Sequence, residues 1–421
     1  MPTYLFQLGH CPDLSHAEIL GVNPRFGGAL HSPQRLPNAV ICKTDSEETI
    51  HHIFNELGGA IRLCEVIHTL KIEGWNSVSS DILVESILAA KLDSILMSSE
   101  HRAIFGLTFL GDSSAQSPRK LHNLLHETAV GLKNHLREKE CSCRFVLPDP
   151  NEKRVELSGA QVDKNNLLEK GLEIVFHFDG QQTLILGLTK RIQAYEEFSQ
   201  RDYGRPQRDA RSGMLPPKLA RMMINLARTD ETKTILDPFC GSGGILMEAS
   251  LAGLGATGFD NSEKAVNDSL ENRKWLENRF PDLHNKIRVF HGDACSLHSL
   301  CEPLYFDACV TEPYLGPPVT QPLNETQFEK ISHQLEPLYI RALGEIRAAI
   351  KPGGRVVFIT PRFRLQDSTQ TGVLSILREI KLLGYTILDP FAEFQSTDRR
   401  ATLIYERPKQ VVLREIFVLK S

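Results

Sequence analysis

No apolar run in this chain approaches the ~20 residues needed to cross a bilayer. Its first residues, MPTYLFQLGH, lack the basic segment and long apolar core of a signal peptide. A cytoplasmic protein without membrane attachment is expected. The nine cysteines are scattered, and the one close pair, Cys141 and Cys143, lacks the C-x-x-C spacing of a zinc or redox site. Reduced, incidental thiols and no metal are expected. Overall basicity is also missing: the net charge is −4 and the pI about 6.4, so nothing global advertises nucleic acid. What remains is an ordinary globular composition, 41% hydrophobic and 24% charged with mean hydropathy −0.21. At 421 residues the chain suggests two or three domains.

Local charge says more than the total. From residue 190 to 228 there are nine Lys/Arg against four Asp/Glu, a net of +5 within an acidic protein. A phosphate-contact surface is a natural reading of that patch. Arg201, Arg205, Arg208 and Lys218 are its candidate RNA contacts; Arg201, Asp202, Arg205 and Arg208 could instead shape a pocket or serve an interdomain salt bridge.

The first 70 residues read as a small α+β unit: strands at 3–8, 39–43 and 61–67, and helices opening at Asp13 and over 47–57. Nothing in them looks catalytic. A second set follows, with helical patterns at 75–92 and 118–138. Strands are expected at 102–110, 143–147 and 154–157, with a helical turn at 164–170. Residues 172–178 and 183–188 pair across Asp179-Gly180, a strong hairpin signal. The histidines of the 118–138 helix, His122 and His126, have no acidic or cysteine partners at ligand spacing and read as surface residues or RNA contacts. Residues 195–212 are polar, arginine-rich and aperiodic, a linker. Pro216-Pro217 then opens a helix with one buried face.

From Thr234 onward strand and helix alternate, which predicts a mostly parallel α/β sheet with ligands at the carboxyl ends of its strands. The first unit is T-I-L-D-P-F-C-G-S-G-G, a strand ending in Asp237 that turns through Pro238 into a glycine loop and a helix. Gly241, Gly243 and Gly244 let the backbone approach a ligand. The third glycine of a dinucleotide loop is replaced by Leu246, and no G-K-[ST] follows, which disfavours dinucleotides and triphosphates. Asp260 ends the next strand, where acidic residues accept ribose hydroxyls. Asp293 ends the third and could receive an adenine amino group. Asn261, Ala294 and Pro216 complete the expected cofactor set. A glycine loop with two strand-end carboxylates and no phosphate-binding lysine fits a nucleoside without polyphosphate, of which S-adenosylmethionine is the common example.

The fourth strand ends in Thr311-Glu312-Pro313-Tyr314, which resembles the D/N-P-P-Y/F motif of amino-group methyltransferases. An exocyclic base amine is a poor nucleophile because its lone pair is delocalised into the ring. A side-chain oxygen and a backbone carbonyl can accept its two hydrogens and turn the lone pair toward a methyl donor, while the aromatic residue stacks on the base. Here one proline is missing. Either Glu312 replaces the aspartate in a shortened loop, or Thr311 takes that place; the first keeps a carboxylate.

D-P-F-C-G-S-G-G, the E-P-Y strand end and RDYGRPQRDARSGMLPPKLAR together resemble the THUMP-containing tRNA guanosine methyltransferases. The likeness is greatest to the archaeal and eukaryotic enzymes that methylate the 2-amino group of guanosine at tRNA position ten. The resemblance implies a ferredoxin-like domain over 1–72, a THUMP domain over 73–190, a linker over 191–214 and a Rossmann-fold methyltransferase domain over 215–421. It implies tRNA held by THUMP, S-adenosylmethionine as methyl donor, and catalysis by Glu312, Pro313, Tyr314 and Thr311. Eukaryotic relatives also use a small activating partner. Two other readings stay open: a DNA adenine or cytosine amino-methyltransferase, and an RNA-binding assembly protein without catalysis.

Overall fold

The computed structural model describes residues 1–421 except 99–101, 112–116, 209–213, 282, 284–285, 367–370, 391–400 and 408–409. Part of the expected linker, residues 209–212, thus lies outside the described residues. The chain forms two compact units. One comprises Met1–Pro12, Gly28–Asn55 and Ala60–Tyr195; the other comprises Asp13–Gly27, Glu56–Gly59 and Glu196–Ser421.

The first unit is built on strands β1 (Thr3–Leu8), β2 (His31–Leu36), β3 (Ala39–Lys43), β4 (Ala60–Lys71), β5 (Ala103–Leu110), β6 (Cys143–Val146), β7 (Leu172–Phe178) and β8 (Thr183–Ile192). They make one sheet in the order β2-β3-β1-β4-β8-β7-β5-β6, so the segments read as two domains share a sheet. Strand β5 runs parallel to both neighbours and every other pair is antiparallel. The Asp179-Gly180 hairpin forms as expected. Gly180 has φ +83° and the Asp179 carboxylate accepts the N–H groups of Gln181 and Thr183.

Helix Pro118–Glu138 buries Leu121, Leu125, Ala129, Leu132 and Leu136, the i, i+4 stripe of an amphipathic helix. Two expectations need correction here. Residues 154–157 form no strand; they are tied to β5 by the Phe109 N–H to Val155 O bond and by Leu157 N–H on Thr108 Oγ1. An α-helix at Gly159–Lys164, placed by the Ser158/Gln161 capping box, precedes the turn expected at 164–170, where Lys170 N–H bonds Asn166 O. His122 is buried with its ring on the Glu152 carbonyl, so it is not a surface residue.

The second unit carries β9 (Thr234–Asp237), β10 (Gly255–Asp260), β11 (Ile287–His291), β12 (Phe306–Thr311), β13 (Ile350–Arg364), β14 (Thr371–Val373), β15 (Thr386–Leu388), β16 (Leu403–Tyr405) and β17 (Val412–Lys420). The main order is β11-β10-β9-β12-β13-β17-β15. The first five strands are parallel, as the sequence pattern predicts, but β14, β15, β16 and β17 pair antiparallel. Strand β17 runs reversed between β13 and β15. The chain moves outward from β9 through β10 to β11, then returns to β12 on the other side of β9. A crevice opens at the carboxyl ends where the strand order reverses. Helix Glu325–Ala349 covers one face, packing Tyr339, Leu343 and Ile346 against Phe306, Phe358 and Phe417.

Residues 13–27 and 56–59, read from sequence as part of an N-terminal domain, belong to this second unit. Glu18 of helix Pro12–Val22 is buried and accepts the N–H groups of Gly58 and Gly59, each at 2.8 Å, and the Asn225 amide at 2.7 Å. Burial pushes its carboxyl up to about 7 despite those donors. Among the described residues no helix is long and apolar enough to cross a membrane.

Candidate active site

Four strand ends meet in one cleft of about 670 Å³. Asp237 ends β9, Asp260 ends β10, Asp293 follows β11, and Glu312 follows β12. The cleft wall also carries Pro238, Gly241, Gly244, Asn261, Ala294, Pro313 and Tyr314, so most of the expected site residues come together. Gly243, Thr311 and Pro216 are not part of the wall.

The glycine loop is held by its neighbours. Cys240 N–H donates to Phe259 O on β10, and Gly241 N–H donates to Asp260 Oδ2, both at 2.9 Å. Gly241 and Gly243 have φ of +50° and +81°, and a Cβ on Gly243 would strike Ser269 Oγ. The other oxygen of Asp260 accepts Ser262 N–H at 2.9 Å. Each carboxylate oxygen has two lone pairs, so Asp260 keeps acceptor capacity facing the cleft. Asp293 Oδ1 accepts Cys295 N–H and caps the short turn Ala294–Ser299.

Asp237 lies under the loop, 1% exposed. Its Oδ1 accepts the Thr311 hydroxyl at 2.7 Å and Phe239 N–H at 3.2 Å. Burial pushes the carboxyl up to about 7, opposed by those two bonds and assisted by the nearby Asp260 and Glu312. Thr311, buried and committed to Asp237, is not presented to the cleft. Of the two alignments of T-E-P-Y, the geometry puts Glu312 on the wall and Thr311 behind it.

Glu312 is paired. Arg414 of β17 donates from Nε to Oε1 at 2.5 Å and from Nη2 to Oε2 at 3.3 Å. Burial raises the Glu312 carboxyl, while the guanidinium opposes that shift. Pro313 is buried, and Tyr314 stands 56% exposed on the lip of the cleft. The Tyr339 hydroxyl donates to Tyr314 O at 2.6 Å, which anchors the loop to helix Glu325–Ala349.

The basic residues divide between burial and exposure. Arg201 is buried, with Nε on Glu248 Oε1 at 2.5 Å, and Arg221 holds the other oxygen of Glu248 at 3.0 Å. As placed, Arg201 presents no surface to RNA and serves this buried ion pair. Arg205 is buried on the cleft wall. Arg208 lies exposed over the Tyr203 ring, and Lys218 packs its ammonium on Phe198. Wall residues not anticipated from sequence include Leu215, Lys264 and Leu338. No group of three His, Cys, Asp or Glu among the described residues is placed to hold a metal ion.

With the geometry in place, comparison with known proteins is direct. Residues 205–366 match a family described as an RMKL-like methyltransferase domain, and residues 114–271 match a DNA methylase family. A tRNA (guanine(10)-N2)-dimethyltransferase of Pyrococcus abyssi is 35% identical over 135 residues, covering 32% of this chain and 38% of that protein. One of the same name from Methanocaldococcus jannaschii is 35% identical over 153 residues, covering 36% and 38%. The matched segment thus spans well under half the length of these relatives. Among solved structures, TrmN from Thermus thermophilus superposes with TM-score 0.55 at 16% identity, covering 100% of this chain and 99% of that one. A putative methyltransferase complexed with SAH gives 0.53 at 14% identity, covering 99% and 98%. The chain has the fold of these methyltransferases. That likeness extends over both units.

Proposed function

We propose that this chain is an S-adenosylmethionine-dependent tRNA methyltransferase acting on the exocyclic 2-amino group of a guanosine, at position ten. The observation that carries this reading is the meeting of Glu312, Pro313 and Tyr314 with Asp260, Asp293 and the glycine loop in one cleft. The residues present fit the cofactor. The loop's backbone can approach it because a Cβ is absent at Gly241 and Gly243, whose positive φ other residues rarely adopt. Asp260 offers acceptor capacity for ribose hydroxyls, and Asp293 with Ala294 flanks the adenine end.

When bound, the cofactor supplies an electrophilic methyl group on a sulfonium. The chain's own work is orientation. Glu312, held by Arg414, keeps unused lone pairs that accept one hydrogen of the base amine. A backbone carbonyl of the Glu312-Pro313 loop accepts the other, and the Tyr314 ring stacks on the base. In this reading residues 1–72 form the ferredoxin-like domain, 73–190 the THUMP domain that holds the tRNA, 191–214 the linker, and 215–421 the methyltransferase domain. The names of the relatives make N(2),N(2)-dimethylguanosine the expected end product.

Incubation with labelled cofactor and unmodified tRNA, followed by nucleoside analysis, tests the proposal. Methylated guanosine supports it, and label in adenine or cytosine of duplex DNA would favour the DNA reading that the match over residues 114–271 raises. Absence of N(2)-methylguanosine would defeat it.

A further inference from the structure

Arg205 is the most unusual charge in the second unit. The residue is 3% exposed, yet among the described residues its Nε and Nη1 have no hydrogen-bond partner. Among the described residues its hydrogen bond is from Nη2 to the Met214 thioether at 3.0 Å, a weak acceptor. Asp202 and Glu248 are near enough to be felt, as is the like charge of Arg208, but the oxygens of Glu248 accept from Arg201 and Arg221. An unpaired buried guanidinium costs several kcal/mol in general, so its persistence needs a reason.

Its location supplies one. Arg205 is on the wall of the cleft, and its Nη1 lies 3.3 Å from where a Cβ on Gly244 would stand. Gly244 is the first residue of helix Gly244–Leu251. A helix N-terminus carries partial positive charge and free N–H groups. A buried cation beside the positive end of a helix is unfavourable twice over, and an anion held by both relieves it. The other charges of the wall are Asp237, Asp260, Asp268, Asp293, Glu312 and Lys264, and Lys264 is already paired with Asp268, so among the described residues Arg205 is the wall cation that an anion can engage.

Resting on the cofactor reading above, we infer that Arg205 and the helix start at Gly244 form the anion site of this cleft and bind the α-carboxylate of the methyl donor's amino-acid tail. The arrangement explains why position 244 has no side chain: a Cβ there would stand against the guanidinium. It also assigns Arg205 to the cofactor instead of to RNA. A guanidinium–carboxylate pair with donors on both sides is the strong, directional form of hydrogen bond, which fixes the tail and through it the sulfonium.

The test is calorimetric and needs no turnover. The full chain is titrated with S-adenosylhomocysteine and with its decarboxylated counterpart, for wild type, Arg205→Met and Arg205→Lys. Wild type should prefer the carboxylate form by at least about ten-fold, the range of a charge-assisted bond. Arg205→Met should lose that preference while binding the decarboxylated form within two-fold of wild type; Arg205→Lys should recover part of it. Melting of the ligand-free protein is the second readout. Removing an uncompensated cation should leave Arg205→Met at least as stable as wild type. A variant that keeps the preference, or loses affinity for both ligands equally, overturns the assignment. Wild type binding neither ligand would overturn the cofactor reading and the anion site together.

Discussion

Glu312 and Arg414 are 102 positions apart in sequence and form a close ion pair at the end of β12, with side chains 14% and 6% exposed. The pair turns the motif carboxylate into a fixed acceptor. Arg414→Met would leave that carboxylate buried without its partner, at a cost of about 3–5 kcal/mol. Because Glu312's carboxyl is already raised by burial, losing the guanidinium raises it further. A raised acid is easiest to keep folded when protonated, so the stability deficit should be larger at pH 8 than at pH 5. Urea unfolding at both pH values checks the sign. The acidic limb of the pH–rate profile should move upward, and Arg414→Lys should recover part of both effects.

Thr311→Val removes the hydroxyl that donates to buried Asp237. That bond favours the ionised carboxylate, whose carboxyl titrates near 7 in the fold against 3.8 as its ordinary value. Above pH 7 the variant should lose about 1–3 kcal/mol. The loss should shrink as pH falls through 7 and Asp237 takes a proton. Asp237→Asn should flatten the decline in ligand-free stability between pH 4 and 7, where one such group contributes a slope of up to about 1.4 kcal/mol per pH unit.

Two glycines of one loop should respond differently to alanine. At Gly241 a Cβ meets nothing within 4 Å, so only the φ of +50° opposes it, at about 1–2 kcal/mol. At Gly243 the Cβ also collides with Ser269 Oγ. Thermal melting should show Gly243→Ala well below Gly241→Ala. Equal losses would mean that helix Glu263–Arg279, which carries Ser269, yields easily.

Arg201→Met addresses the buried pair with Glu248. It should destabilise by about 3–5 kcal/mol and leave the salt dependence of tRNA binding unchanged. A phosphate contact, by contrast, would reduce that slope by about 1. Filter binding across a salt series separates the two.

The parallel half of the second unit was legible because its strands, β13 apart, are short apolar runs closed at or soon after their ends by Asp, Gly or Pro, with helices between them. Asp237, Asp260, Asp293 and Glu312 followed from that pattern, since strand ends converge in such folds. Partners across the sheet were not legible. Arg414 sits in V-V-L-R-E-I-F-V-L, where Arg414-Glu415 is a charged pair inside an otherwise apolar strand; that break in the pattern was the available signal that β17 faces something charged. Arg201 and Arg205 illustrate the opposite failure. An arginine-rich, aperiodic stretch looks solvated, and only tertiary placement reveals that one guanidinium neutralises Glu248 and another waits in the cleft. The capture of residues 13–27 by the second unit rests on Glu18 meeting Gly58, Gly59 and Asn225, contacts too distant in sequence for periodicity to report.

Strand β17 also sets a timetable. A ribosome adds ~5–20 residues each second, so ~5–20 seconds separate translation of Glu312 from that of Arg414. Throughout that interval the newborn chain holds the Glu312 carboxylate without this counter-charge. Messages cut short, or chains clipped by proteases before residue 412, would yield proteins that keep the glycine loop yet lack the strand that fixes the E-P-Y turn.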